Sequence, residues 1–122
     1  MTLKGWHILV IDDDQSSRHL IEIFLKKLGS RVTCCDSGES AYKKIAIQTY
    51  CCIVSDINMP GMNGVELLSK IRNILRCNTP MILVSGNPEF SQSELSFKGA
   101  QGFLPKPYPL QSLEKMILDC FP

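Results

Sequence analysis

At 122 residues the chain has the common size of one independently folding domain and is long enough to bury one sizeable core. Hydrophobic residues make up 44% and charged residues 20%, no apolar run approaches the ~20 residues that cross a bilayer, and the N-terminus lacks the features of a secretory signal. A membrane-spanning chain is therefore excluded and the cytoplasm is the expected compartment, while a net charge of +1 from scattered Lys and Arg lacks the basic footprint of a direct nucleic-acid binder.

From His7 to Ile11 an apolar, β-branched run ends abruptly in Asp12, Asp13 and Asp14, which reads as a buried strand entering an acidic loop. Ser16 to Leu28 carries Leu20, Ile21, Phe24, Leu25 and Leu28 at helical spacing, with Gly29 as the stop. Arg31 to Cys35 reads as a short strand; Asp36 or Ser37 then caps a helix running to Gln48 with Ala41, Tyr42 and Ile45 on one face. Cys51 to Ser55 is a continuous apolar strand ending at Asp56, followed by a loop with Pro60 and Gly61 and a helix from about Gly64 to Leu75. Met81 to Val84 forms a fourth strand ending in Ser85. A weaker helical pattern covers about Phe90 to Lys98, Gly102 to Leu104 is a short strand, and Leu110, Leu113, Met116, Ile117 and Cys120 stripe a last helix.

Five strands alternating with five helices predict a single α/β domain over 1–122, with a parallel sheet covered on both faces. In open sheets of this kind, ligands gather beyond the carboxyl ends of the strands. Asp12, Asp13, Asp56, Ser85 and Lys106 all follow apolar strand segments, so this fold would gather them at one edge.

Close carboxylates repel by roughly 4 kcal/mol per pair at an effective dielectric of 20, and a divalent cation relieves that repulsion. All-oxygen ligands suit Mg2+; Asp13 and Asp56 are the expected ligands, with Asp12 binding directly or through water. Asp14 alone reads as a helix cap. Contiguous Asp12 to Asp14 lack the alternating ligands of a calcium loop. A carboxylate can be the nucleophile in phosphoryl transfer, which casts Asp56 as acceptor, with the metal, the Lys106 ammonium and the Ser85 hydroxyl holding the transferred oxygens. Singly, Ser85 would be a turn residue and Lys106 a solvated charge; their joint placement carries the argument. The six cysteines, Cys34-Cys35, Cys51-Cys52, Cys77 and Cys120, include no CxxC, and strand neighbours face opposite ways, so they read as small buried hydrophobes rather than zinc ligands or structural disulfides.

The segments Ile8 to Asp14 (ILVIDDD), Ser55 to Leu68 (SDINMPGMNGVELL), Val84-Ser85-Gly86 and Gly102 to Pro107 (GFLPKP) resemble, in order and over essentially the whole chain, the receiver domain of bacterial-type two-component response regulators. The resemblance implies a flavodoxin-like doubly wound (βα)5 fold of strand order 2-1-3-4-5. It also implies a Mg2+ site of Asp12, Asp13, Asp56 and the Asn58 backbone carbonyl, a phosphoacceptor at Asp56 aided by Lys106, and a switch formed by Ser85 and Phe103. A cis Lys106-Pro107 bond follows from it too. Such a domain catalyses its own phosphorylation and dephosphorylation rather than turning over a separate substrate. Its phosphoryl donor would be a sensor histidine kinase or histidine phosphotransfer protein, and its output a binding partner, a fused domain or a phosphorylation-dependent dimer. Asn63 stands where the family commonly has Asp, and Gly86-Asn87 where Ala and a variable residue are frequent. Asn58 and Asn87 occupy the positions that tune loss of the phosphoryl group.

Two rival readings remain at this stage. Asp12-Asp13-Asp14-Gln15-Ser16 also reads as the D-x-D-x-S of a haloacid-dehalogenase-type phosphohydrolase, with Asp12 as nucleophile and Asp14 as acid/base, although the chain is short for one and shows no cap domain. A pseudo-receiver that binds partners without phosphorylation is the other. Cys120-Phe121-Pro122 directly follow the last helix, so the sequence carries no output domain, which suits a stand-alone regulator or a piece of a longer hybrid kinase or regulator.

Overall fold

Apolar five-residue runs and striped helices settle into the expected alternation. In order these are β1 (His7–Ile11), α1 (Gln15–Lys27), β2 (Arg31–Cys35), α2 (Gly38–Ile47), β3 (Cys52–Asp56), α3 (Gly64–Asn73), β4 (Met81–Ser85), α4 (Gln92–Phe97), β5 (Gly102–Pro105) and α5 (Leu110–Asp119). The computed structural model describes residues 1–86 and 90–120; Asn87 lies outside the described residues. The strands form one parallel sheet of order β2-β1-β3-β4-β5. The chain moves outward from β1 to β2 and then back past β1 to β3, so the order reverses between β1 and β3, where parallel sheets open a crevice.

Alternation along each strand divides the core in two. Leu9, Ile11, Ile53, Met81 and Leu83 face the buried residues of α2, α3 and α4, among them Ala41, Ile45, Leu67, Leu68, Ile71 and Leu95. Ile8, Val10, Cys52, Val54, Ile82 and Val84 face Ile21 and Leu25 of α1 and Leu113 and Ile117 of α5. This two-sided burial is why β3 and β4 read as unbroken apolar runs. The Cys34-Cys35 doublet follows the same rule: Cys35 joins the first cluster, and Cys34 packs against the second.

Side-chain caps fix where the helices begin. Asp14 accepts from the Ser17 N–H to open α1, Ser37 rather than Asp36 accepts from Ser40 to open α2, and Ser91 accepts from Glu94 to open α4. Asn63 opens α3 through a reciprocal capping box with Glu66, so the Asn that departs from the family's usual Asp serves as a cap. Gly29 follows α1 at φ 98, a left-handed conformation that favours glycine.

Several expectations shift. Leu20, placed in the buried stripe of α1, is 57% exposed, because the α1 face that meets the sheet centres on Ile21 and Leu25. Cys51 is exposed and lies outside β3, which begins at Cys52 and includes Asp56. The helix expected over Phe90 to Lys98 is only Gln92–Phe97, and Phe97 is 94% exposed because Leu95 alone among its residues reaches the core. All six cysteines are free, but only Cys35 and Cys52 are buried, so the small-hydrophobe reading fails for the exposed Cys51 and is partial for the other three. Among the described residues no helix is long and apolar enough to cross a membrane.

Gly64 locks the start of α3 onto the end of β3. Its N–H donates to the Ile57 carbonyl at 2.9 Å, and a Cβ there would stand 2.4 Å from the Asp56 carbonyl oxygen and 3.0 Å from the Ile57 Cα. Both obstacles are backbone and cannot swing away. Gly64→Ala should therefore cost about 2 kcal/mol or more despite alanine's better helix propensity, read as a lowered urea midpoint at unchanged slope; an unchanged midpoint would show that the close approach is not a constraint.

Candidate functional site

β1 and β3 end side by side, paired through Ile11 and Ser55, so the next residues of each strand emerge together at the sheet's carboxyl edge. Asp12 is held on every side. Its N–H donates to the Cys35 carbonyl at 3.1 Å, its own carbonyl accepts from Arg18 Nη1 at 2.8 Å, and its Oδ1 accepts from the Asp14 N–H at 2.9 Å. Asp13 is exposed beside it. One carboxylate oxygen from each of Asp12, Asp13 and Asp56 lies within 4.8 Å of the others.

Lys106 reaches this cluster from the end of β5. Its Nζ stands 3.3 Å from Asp56 Oδ2 and 3.9 Å from Asp12 Oδ2, and its backbone N–H donates to the Ser85 carbonyl at 2.8 Å. The Lys106-Pro107 bond that follows is cis, as the resemblance implies. Ser85 is buried at the end of β4, and its Oγ accepts from Asn58 Nδ2 at 2.9 Å, while the Asn58 N–H donates to Asp56 Oδ1 at 3.3 Å. Ile57 and Met59 are buried on either side of Asn58 and anchor the loop that carries it. Phe103, the expected aromatic switch, is half-buried in β5 and packs against the core cluster of α2, α3 and α4. Six residues singled out from the sequence, Asp12, Asp13, Asp56, Asn58, Ser85 and Lys106, thus fall on adjoining strand ends or the loops that leave them, with Phe103 on β5 behind them.

Three carboxylates and one ammonium leave a formal charge of −2 (three negative, one positive), which one divalent cation would cancel. The donors are all oxygen, which suits Mg2+. Burial pushes the Asp12 carboxyl above its ordinary pKa, with the Asp56 and Asp13 charges adding to the rise, while the Asp14 N–H and Lys106 pull the other way. Beside it lies a cavity of about 260 Å3 between α1 and the start of α5, where Asp12, Asp56 and Lys106 meet Leu20, Pro107 and Tyr108. Burial, and then the charges of Asp12 and Asp56, push the Tyr108 hydroxyl up to about 12, so it stays protonated beside the acids.

Arg18, Glu39 and Tyr108 escaped the sequence reading, as did the contact between the Asn58 side chain and Ser85. Arg18 ties α1 to the Asp12 carbonyl, and the Asn58 side chain tethers Ser85. Glu39 Oε2 accepts from the Met62 N–H at 3.1 Å and steadies the loop after Asn58, and Tyr108 closes the cavity wall. Each acts through a long-range hydrogen bond or packing contact, to which periodicity and strand-end counting are blind. Asp14, the acid/base that the hydrolase reading requires, spends its Oδ2 on the Ser17 N–H.

A family model described as the response regulator receiver domain matches residues 8–118. The transcriptional regulatory protein FixJ of Bradyrhizobium diazoefficiens is 34% identical over 118 residues, covering 96% of this chain and 57% of FixJ. The chain spans about half the length of the first relatives it matches. Among solved structures, a Francisella response regulator 1452 receiver domain superposes with a TM-score of 0.89 at 27% identity, covering 95% of this chain and 96% of that one. The response regulator TrrA of Thermotoga maritima, solved in complex with Mg(2+)-BeF, gives 0.86 at 26% identity, covering 95% and 99%.

The raised Asp12 pKa fixes a sign. In the absence of metal the folded state binds that proton more tightly than the unfolded chain, so the stability penalty of ionised Asp12 is full above the raised value and disappears as pH falls below the ordinary carboxylate range. Asp12→Asn keeps an Oδ1 acceptor for the Asp14 N–H while removing the charge. Without metal at pH 7 it should raise thermal stability by about 1 kcal/mol, and the advantage should shrink on acidification. A variant less stable than the parent at pH 7 would mean that the Lys106 pairing outweighs burial and repulsion.

Proposed function

The chain belongs to the response-regulator receiver family and is a two-component signalling domain, and from that premise we propose that Asp56 is its phosphoacceptor, working with Mg2+ held by Asp12, Asp13, Asp56 and the Asn58 backbone carbonyl. The observation that carries the reading is the convergence of three carboxylates and one lysine at the carboxyl edge of the sheet with a formal charge of −2.

An Asp56 carboxylate oxygen would attack phosphorus in line; the new O–P bond forms as the bond from phosphorus to the donor's leaving group breaks. Bound Mg2+ supplies charge neutralisation on the carboxylates and on an oxygen of the transferred group. Lys106, already 3.3 Å from Asp56 Oδ2, meets a second oxygen with its ammonium, and the pairing stabilises charge that develops as the group arrives. The Ser85 hydroxyl meets a third, which requires it to leave or share its contact with Asn58 Nδ2. Water attacking the phosphorus reverses the modification, so the domain catalyses both its own phosphorylation and its own dephosphorylation. Asn58, and Asn87 outside the described residues, stand where the lifetime of the phosphorylated state is set.

The donor in this reading is a sensor histidine kinase or a histidine phosphotransfer protein, consistent with relatives named as transcriptional and sensory regulators. The signal leaves when Ser85 moves toward the phosphate and the half-buried Phe103 turns inward, reshaping the surface of α4, β5 and α5 for an output partner, a fused domain or a second copy.

Two experiments test the assignment. Incubation with Mg2+ and acetyl phosphate, followed by trapping and mass spectrometry, should place one phosphate on Asp56; Asp56→Asn should abolish it and Lys106→Ala slow it by about 10²-fold. Phosphate on Asp12 would instead favour the hydrolase, and no incorporation the pseudo-receiver. Phe103→Ala should leave phosphorylation nearly intact while weakening phosphorylation-dependent output; a large loss of phosphorylation would remove Phe103 from the switch.

A further inference from the structure

The cavity of about 260 Å3 between α1 and the start of α5 has two unlike kinds of lining. Leu20 and Ile21 of α1, Val54 of β3 and Leu110 of α5 supply hydrocarbon, and none of the four belongs to the acidic cluster. Asp56 and Lys106 line the same cavity, so apolar surface runs up to the atoms that the proposed phosphoryl transfer uses. Ile21 is buried in the core whereas Leu20 beside it is exposed, which opens the hydrocarbon to solvent from the α1 side. An apolar cavity of ~150 Å3 already holds a benzene ring, so this one has room for a short alkyl or aryl group.

We propose that this cavity is a leaving-group subsite for small phosphodonors, and that it selects acyl phosphates whose acyl group is an apolar chain. The inference rests on the reading of Asp56 as phosphoacceptor and names the donor class that suits it. A phosphodonor brings two parts to Asp56: a phosphoryl group, which the Lys106 ammonium would meet, and a leaving group, which also needs a place. A charged leaving group gains nothing from hydrocarbon and is repelled by the nearby carboxylates if it is anionic. An uncharged apolar chain escapes that repulsion and gains by leaving water. The Tyr108 hydroxyl lines the same cavity and can donate to the acyl carbonyl oxygen.

In the transfer an Asp56 carboxylate oxygen forms the new bond to phosphorus as the bond from phosphorus to the acyl oxygen breaks, and that bond's electron pair departs with the acyl group as a free carboxylate. One carboxylate enters and one leaves, so charge balances without a proton. The product acid is anionic beside Asp12, which favours its release. Contact with the chain is made before and during the transfer, so it raises kcat/KM by lowering KM rather than by raising kcat.

The test compares acetyl phosphate with butyryl phosphate on the whole chain with Mg2+, following phosphorylation against donor concentration and locating the product by mass spectrometry. The two donors expel carboxylates of nearly equal basicity, so their difference reads contact with the chain rather than intrinsic reactivity. Two added methylenes should raise kcat/KM about tenfold, through KM. Leu20→Gln, at an exposed position, should cut that advantage to about threefold, and Leu20→Met should keep it. Equal constants for the two donors, with phosphate on Asp56, would overturn the subsite, leave the phosphoacceptor reading standing and hand the cavity to another occupant, such as a partner's apolar side chain. An advantage undiminished in Leu20→Gln would place the chain elsewhere and overturn it too. Phosphorylation of Asp56 by neither donor would overturn both readings.

Discussion

Mutual repulsion among Asp12, Asp13 and Asp56 is the constraint around which the rest of the molecule is organised. Three carboxylate oxygens within 4.8 Å of one another are unfavourable in any fold that lacks a nearby cation. Here the backbone leaves them no escape. Asp12 is fixed through its N–H, its carbonyl and its side chain, and Asp56 is the last residue of a strand hydrogen-bonded on both sides. Lys106 offsets one charge from 3.3 Å, and the remaining deficit is the attraction a divalent ion would satisfy. The sheet's interior burial supplies the rigidity to hold this arrangement, since strands buried on both faces cannot slide to separate the acids.

In the proposed mechanism the same strand ends would make the site responsive. β4 delivers Ser85 and β5 delivers Lys106, and the two are joined by the Lys106 N–H to Ser85 carbonyl bond. Asn58 bridges the β3 loop to the Ser85 hydroxyl, so the acid-bearing loop and the hydroxyl-bearing strand already share one hydrogen bond. In the proposed mechanism a phosphoryl group on Asp56 competes for that hydroxyl, and movement of Ser85 frees the space toward Phe103. In that mechanism a few hydrogen bonds at one edge of the sheet would connect the chemistry to the α4, β5 and α5 surface through Phe103, which packs against the first core cluster.

Element order, a parallel sheet and the acidic cluster were legible in the sequence because they rest on short-range rules, whereas the strand order came only with the family resemblance. Apolar runs such as Ile53 to Ser55 are buried on both faces, and polar residues placed right after such runs must share an edge in a parallel sheet. What stayed hidden depends on distant partners. Leu20 fits the apolar stripe of α1 by spacing, yet the helix turns a different face to the sheet; the helix expected over about Phe90 to Lys98 shrinks to the six residues of α4, with only Leu95 buried. Nothing local marks Arg18 as the donor to the Asp12 carbonyl, or Glu39 as the brace for the loop at Met62. The cysteines reveal the same limit: Cys34 and Cys35 obey strand alternation, whereas the packing of Cys120 against the core cluster that contains Cys52 arises only when α5 lies against the sheet.

A crystal structure of the chain grown with Mg2+ and beryllofluoride, a stable mimic of the phosphoryl group, is the most direct test of the central claim. The account predicts beryllium bonded to an Asp56 carboxylate oxygen, Mg2+ coordinated by Asp12, Asp13 and Asp56, and the Lys106 ammonium and Ser85 hydroxyl on the fluorines. Beryllofluoride on Asp12, or crystals with Mg2+ and no adduct on Asp56, would contradict it.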